Sequence, residues 1–475
     1  MSTLYATPET SEEVIENSFR ILKENQFTVA SSSLKDRLTK LKNLNKSILK
    51  HRKEIQNALQ KDFKKHASET DLIEIFSVTS EIKHTRRNLY RWINKQRVGT
   101  PITLLGSSSY VKHEAKGVVL IIAPWNFPIN LTLGPLVNAV AAGNTVIIKP
   151  SEFTPHTNEV LTKIIQDVFK ENEVKVIQGG VPTSTKLLSL PFNHIFFTGS
   201  PSVGKIVMEA AAKNLCSVTL ELGGKSPVII DSTANIDKAA KRVAWIKHLN
   251  NGQICIAPDY VLVEKSVEDQ FIEKVEKHLS AFYGDNPEIE PSYCRIINAS
   301  NFSRVRGLID DAVSKGATIR AKGESDPQEK YIPPTLLTNI PHGTRIMDEE
   351  IFGPVLPIFT FNKLSEAIEI VNEREKPLAL YIFSKSKKNI DYIHSNTRAG
   401  GGCVNHVGIH FFNNELPFGG INNSGMGKAH GWYSFQAFSN ARGILHQKLP
   451  SFLEVVAPPY TNFKAKLVDF TIRWL

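Results

Sequence analysis

Cysteine is scarce in this sequence: four in 475 residues, Cys216, Cys255, Cys294 and Cys403, with no paired spacing. That pattern excludes a disulfide framework or a Cys-x-x-Cys metal clip and fits a reducing compartment such as the cytoplasm. The stretch from Met1 to Glu13 lacks an apolar core, so no secretory leader is expected there. Long apolar runs are missing as well. The charge-free stretch from Gly117 to Ile148 is broken by Pro124, Pro128 and Pro135 and divides into strand, loop, helix and strand, so no transmembrane segment is expected. Internal repeats and low-complexity tracts are absent. So is the stripe of interleaved aromatics that a nucleic-acid platform needs, although the net charge is +10. Much of the lysine falls on an amphipathic helix expected from Leu34 to Phe63, opposite Leu34, Leu38, Leu41, Ile48, Ile55 and Leu59. A solvated helix face accounts for it; attraction of an anionic cofactor or membrane surface is the alternative.

What is present reads as a globular α/β protein. Hydrophobic residues make up 41% and charged residues 22% of the chain, and the length calls for two or three domains. The first hundred residues read as helices. Thr10 with Glu13 suggests a capping box ahead of Val14, Phe19 and Leu22, and another helical pattern runs from about Glu69 to Asn94. Ser107 to Lys116 alternates like a strand arm. From Gly117 onward, strand-like runs at 118–122, 145–148, 174–177, 195–197 and 218–220 alternate with helices such as 155–169 and 203–212. Such alternation implies a parallel sheet with helices on both faces, the architecture of dinucleotide-binding domains. A second block follows, with strands at 228–230 and 260–264 and helices starting near Ile236 and Glu268. The amphipathic tail from Phe463 to Leu475 is too short to span a bilayer and reads as a packing or docking segment.

Several segments carry chemistry. Cys255 sits in Asn250-Asn251-Gly252-Gln253-Ile254-Cys255-Ile256-Ala257-Pro258-Asp259-Tyr260; a lone cysteine is usually a small core residue, and becomes a nucleophile when exposed as thiolate near oxyanion donors. Glu221 ends a strand in Glu221-Leu222-Gly223-Gly224-Lys225-Ser226-Pro227, where a solvated carboxylate is the ordinary reading. Asn126 lies in Pro124-Trp125-Asn126-Phe127-Pro128, a loop that two prolines can hold rigid, either as a simple turn or as an oxyanion donor. Lys149-Pro150-Ser151-Glu152 follows a strand, where nucleotides bind in parallel sheets. Gly199 and Ser200 lead through Pro201-Ser202-Val203 to Gly204 at a helix start, which suits a pyrophosphate but lacks the Gly-x-Gly-x-x-Gly pattern. Glu349-Glu350-Ile351-Phe352-Gly353-Pro354 could be a plain acidic turn. Cys403, His406 and His410 have metal-like spacing, but Gly408 disfavours a helix aligning them and no fourth ligand is evident, so no metal is expected.

Together these segments resemble the aldehyde dehydrogenase superfamily, densely from Gly117 to Ser439. With Leu416-Pro417-Phe418-Gly419-Gly420 and Asn423-Ser424-Gly425-Met426-Gly427 they look most like its class 3, the group that includes fatty-aldehyde enzymes. The resemblance implies a Rossmann-type cofactor domain, an α/β catalytic domain and a small β bridging element. The expected division is 1–220, with an arm at about 100–116 belonging to the bridge, then 221–403, then a return through 404–475. By the same resemblance, Cys255 is the nucleophile, Glu221 (less surely Glu350) the base for water, and Asn126 an oxyanion donor with the Cys255 N–H. Lys149 and Glu152 would contact the adenosine ribose, Gly199, Ser200 and Gly204 the pyrophosphate, Glu350 the nicotinamide ribose and Phe352 the nicotinamide, with Trp125 also cofactor-binding. NAD is expected because a carboxylate repels a 2′-phosphate, with NADP open. A homodimer oxidising a medium- or long-chain aliphatic or an aromatic aldehyde is implied, with peripheral membrane contact through the tail left open. Alternatives are a CoA-acylating or reductive relative, which generally lacks the Glu221 base, a Cys-His hydrolase, or an inactive nucleotide-binding scaffold. The match departs at His248, where the family usually has an aromatic shaping the substrate tunnel, and at His406, where many members have aspartate.

Overall fold

The computed structural model describes residues 8–321 and 323–475. Its centre is a six-stranded sheet ordered 425–426, 217–222, 194–199, 118–122, 145–149 and 174–176, parallel except for the short strand Gly425–Met426. Val118–Ile122 and Thr145–Lys149 are buried on both faces, which is why they read as unbroken apolar runs. The chain moves outward from Val118–Ile122 in one direction and then returns to build the other side. The order therefore switches between Val118–Ile122 and His194–Gly199, and a crevice opens there beyond the carboxyl ends.

Five residues after Leu222, at Pro227, the chain enters a seven-stranded sheet ordered 318–321, 335–338, 355–361, 260–264, 227–230, 379–383 and 401–404. The carboxyl edge of the first sheet thus faces the amino edge of the second. A third, antiparallel sheet joins Gln96–Val98, Ser107–Ala115 and Ser439–Gln447, with nine pairs from Ser439↔Ala115 to Gln447↔Ser107. The strand arm expected near residue 107 is this central strand.

The helical N-terminus differs in three places. The cap of helix Glu12–Ala30 is Ser11, whose Oγ accepts from the Val14 N–H, while Thr10 is drawn away to the Gln178 carbonyl. The helix expected over 34–63 is two, Leu34–Lys50 and Arg52–Phe63. His51 breaks it because its ring is held between Glu54 and Asp167, 2.6 and 3.0 Å away. The capping box of this region is Ser33 with Asp36. Finally, the pattern over 69–94 begins with a wide π-helical turn, Thr70–Ile75, before helix Phe76–Ile93. That turn aims Glu74 inward, where it accepts from Lys65 Nζ at 2.9 Å and from the N–H groups of Ile129 and Asn130.

Lys65 and Glu74 are both fully buried, so most lysines of this region are solvated but this one is not. Lys65→Met, which strands the carboxylate, should cost about 3–5 kcal/mol of stability by denaturant titration. A change below about 1 kcal/mol, the scale of an exposed pair, would show that the pair is hydrated.

Candidate active site

The Pro124–Pro128 loop leaves the strand Val118–Ile122 at the switch point. Asn126 is buried there, its main-chain carbonyl accepting from Lys65 Nζ (3.1 Å) and Asn250 Nδ2 (3.0 Å). Its side-chain Nδ2 donates to the Gln253 carbonyl at 3.0 Å, and a primary amide has a second N–H left over. Lys65 thereby ties the buried ion pair to the site.

The segment carrying Cys255 is held as tightly. Asn250 and Asn251 adopt left-handed backbone, and Asn251 Nδ2 donates to the Cys294 carbonyl at 2.9 Å. Gln253 is fully buried, its Nε2 donating to the carbonyls of Asn250 and Arg295 and its Oε1 accepting from the Ile297 N–H. Gly252 has φ +72°, and a Cβ there would lie 2.2 Å from the Gly353 carbonyl oxygen. Gly252→Ala should therefore displace the 350–354 turn and lower stability by about 1–3 kcal/mol, read as a fall in melting temperature with lost activity. An unchanged melting temperature would contradict the close approach.

Glu221 ends its strand opposite Gly425, and burial of both carboxylate oxygens without a hydrogen-bond partner pushes its pKa up to about 8 against the pull of Lys428. Glu350 is also raised to about 8, by burial and by the field of Asp259; its Oε1 is unpartnered. Burial and these two carboxylates push the half-buried Cys255 thiol well up. Because both carboxyls are largely protonated near neutral pH, their repulsion of a thiolate is weaker than two full charges would give.

Two cavities meet at this group. A wide crevice of mixed polar and apolar character is walled by Trp125, Asn126, Gly199, Ser200, Glu350 and Phe352 among others. Trp125 meets Phe352 edge-on with ring centroids 5.4 Å apart. A Cβ on Gly223 would come within 1.9 Å of the Glu350 carboxylate, so a side chain there would have to push that carboxylate out of its place in the crevice. Ser200 caps helix Pro201–Ala212, its side chain accepting from the Val203 N–H, and lines the crevice at that helix's N-terminus. On the other side lies a smaller cavity whose exposed wall is largely apolar, with Phe196, Phe411, Phe418 and His430 among its lining. Leu131, Thr198, Glu221 and Cys255 line both.

Other expected residues lie nearby or elsewhere. Lys149 and Glu152 form a 2.8 Å ion pair at the carboxyl end of the adjacent strand. Gly204 is buried against the sheet, where a Cβ would lie 2.7 Å from Leu222. His248 does not line the cavity at Cys255. Its Nδ1 bonds to the Ala244 carbonyl, and burial lowers its pKa to about 4. Cys403 lies 3.4 Å from His410, but His406 turns back on its own Val407 main chain, and no metal-binding group of three exists among the described residues. Lys428 and His430 belong to the site but carry no local sequence signal, because only tertiary folding brings the 416–430 run to Glu221.

A strand-end carboxylate, a rigid carboxamide and a cysteine set between a nucleotide-type crevice and an apolar pocket define a class, the covalent oxidoreductases. The chain belongs to the aldehyde dehydrogenase family, whose model matches residues 2–444. It is 44% identical to a dimeric NADP-preferring aldehyde dehydrogenase of Rattus norvegicus, covering 88% of this chain and 91% of that one. It is 41% identical to aldehyde dehydrogenase family 3 member A2 of Mus musculus, covering 93% and 90%. A substrate-bound Staphylococcus aureus AldH structure superposes with TM-score 0.92 at 42% identity, over 96% of this chain and 99% of that one. The protein is an NAD(P)-dependent enzyme that oxidises aldehydes.

Proposed function

We propose that Cys255 is the nucleophile, Glu221 the base that releases the acid, and Asn126 the oxyanion donor with the Cys255 N–H. The observation that carries this reading is that Cys255 and Glu221 line both cavities, so a substrate in one and a cofactor in the other meet at the thiol. The cradle fits a dinucleotide through its glycine floor, its helix N-terminus and the orphaned Glu350 oxygen. Bound NAD(P) supplies the hydride acceptor. When it is bound, Lys149 and Glu152 would hold the adenosine ribose, Gly199 and Ser200 the pyrophosphate and Glu350 the nicotinamide ribose, with Trp125 and Phe352 in the crevice wall beside the nicotinamide. Gly204 contributes by letting its helix lie close to the sheet. The Glu152 carboxylate favours NAD, and its ion pair with Lys149 tempers the repulsion of a 2′-phosphate.

In the reaction, the Cys255 thiol gives up its proton to solvent, the thiolate adds to the aldehyde carbon, and the resulting oxyanion is held by the free Asn126 N–H and the Cys255 N–H. Loss of hydride from that carbon leaves a thioester. Glu221 takes a proton from water, the hydroxide adds to the thioester carbon, and the carboxylic acid departs as the sulfur is released. The aromatic cavity favours medium- or long-chain aliphatic, or aromatic, aldehydes. The division into a cofactor part (1–220), a catalytic part (221–403) and a returning segment (404–475) belongs to the same reading. Exposed Val98, Ile102, Leu105 and Leu445 on the antiparallel arm suit burial in a homodimer in the cytoplasm. No described helix is long and apolar enough to cross a membrane; the exposed Phe463, Phe470, Ile472 and Trp474 of helix Asn462–Trp474 suit peripheral contact. The test is NAD(P)H formation over a ladder of aldehydes, with and without CoA. Turnover without CoA supports the hydrolytic reading, and strict CoA dependence would overturn it.

A further inference from the structure

The aromatic cavity beside Cys255 contains polar atoms that the reaction does not use. Ser77, at the start of helix Phe76–Ile93, and Asn130, at the start of helix Asn130–Ala142, both line it. The two residues are 8% and 6% exposed, and neither Ser77 Oγ nor Asn130 Nδ2 has a hydrogen-bond partner among the described residues. His430 Nδ1 is a third such atom, on a ring stacked over Phe418 at 4.9 Å and 12°. Glu81, in the same wall, is already engaged by Asn138 Nδ2 at 2.6 Å and the Gly431 N–H at 2.9 Å. A pocket built only for hydrocarbon would place carbon at these positions, because an unpaired buried polar group is costly.

We propose that this cavity reads an uncharged hydrogen-bond acceptor, such as an ether, hydroxyl or carbonyl oxygen, on the body of the aldehyde, through the Ser77 hydroxyl and the Asn130 amide. The proposal rests on the assignment of Cys255 and Glu221 as the catalytic pair, which makes this cavity the aldehyde's. An uncharged group is specified because Ser77 and Asn130 offer neutral donors and the wall offers no cation beside them. Burial holds His430 neutral, its pKa lowered to about 3, and Glu81 Oε1 already accepts from Asn138 and Gly431. A carboxylate tail would thus find no cation among the lining residues named here, and would meet the carboxyl of Glu221.

The test compares octanal with three isosteric analogues in which an ether oxygen replaces the methylene at C5, C6 or C7, using the full chain with NAD(P). We expect kcat/KM for at least one analogue to exceed that for octanal by about tenfold. Ser77→Ala or Asn130→Leu should bring that ratio to one or below, and Ser77→Thr, which keeps the hydroxyl, should preserve it. The ratio is internal to each preparation, so partial misfolding lowers both rates and leaves it unmoved. Octanal preferred over all three analogues, or a ratio untouched by both substitutions, would overturn the proposal. Silence on octanal and all analogues together would instead remove the catalytic reading beneath it.

Discussion

Replacing Cys255 by alanine abolishes aldehyde-dependent NAD(P)H formation and leaves cofactor binding intact: this is the largest effect expected of any single substitution here. Water cannot add to the carbonyl and expel hydride with the efficiency of a sulfur held in place, so the loss should be at least about 10⁴-fold in kcat. Binding should survive because the crevice floor is made by Gly223, Glu350 and the Trp125–Phe352 pair, and the thiol is only one point on its rim. Quenching of tryptophan fluorescence on cofactor titration reads the second half of the claim. Retained dehydrogenase activity in Cys255→Ala would move the nucleophile elsewhere, and lost cofactor binding would mean that the loop had collapsed.

Glu221→Gln should separate the two halves of the reaction. The first turnover needs the sulfur and the oxyanion donors, whereas release of the acid needs a base. The variant should therefore show a burst of NAD(P)H of about one equivalent per active site and then a steady rate lowered by about 10²–10⁴-fold. The pH dependence follows from burial. A base works ionised, and with its pKa pushed up to about 8 Glu221 gains ionised form as pH rises from about 7 to about 9, and then levels. Where hydrolysis limits turnover, the wild-type rate should climb over that window, and the glutamine variant should lose the climb. A strong external nucleophile such as hydroxylamine, which needs no base, should restore part of the variant's steady rate. Absence of both burst and rescue would assign Glu221 to an earlier step.

Much of this site is legible in the sequence, for a physical reason. Parallel strands buried on both faces leave continuous apolar runs, so Val118–Ile122 and Tyr260–Glu264 could be placed to the residue, and residues at strand ends are where such sheets bind ligands. The Cys255, Glu221 and Asn126 segments stand out through their resemblance to the family's motifs, which are short and contiguous in the chain; taken alone, each residue also admits an ordinary reading. What stayed hidden is non-local. The break at His51 depends on Asp167, more than a hundred residues away, and the inward turn of Glu74 depends on Lys65 and the Asn130 N–H. Nothing near Ser77 in the chain indicates that it faces the same cavity as His430, since that pairing exists only after the 411–430 segment folds across the helices. His248 shows the opposite error. Its position suggested a tunnel wall, but its ring turns back to Ala244 and Tyr283.

The short strand Gly425–Met426 pairs antiparallel with the strand that ends in Glu221, and Ser424 accepts from the Leu222 N–H. This has a consequence for the order of synthesis. During translation the nucleophile and both carboxylates emerge well before the segment that encloses Glu221, so a ribosome-bound chain carries an open and incomplete centre until residue 426 has cleared the exit tunnel. The enclosing step that raises the Glu221 pKa therefore comes late, and chains truncated before it should bind aldehyde or cofactor poorly, if they fold at all. The centre is complete only when the 424–426 run has folded back onto it.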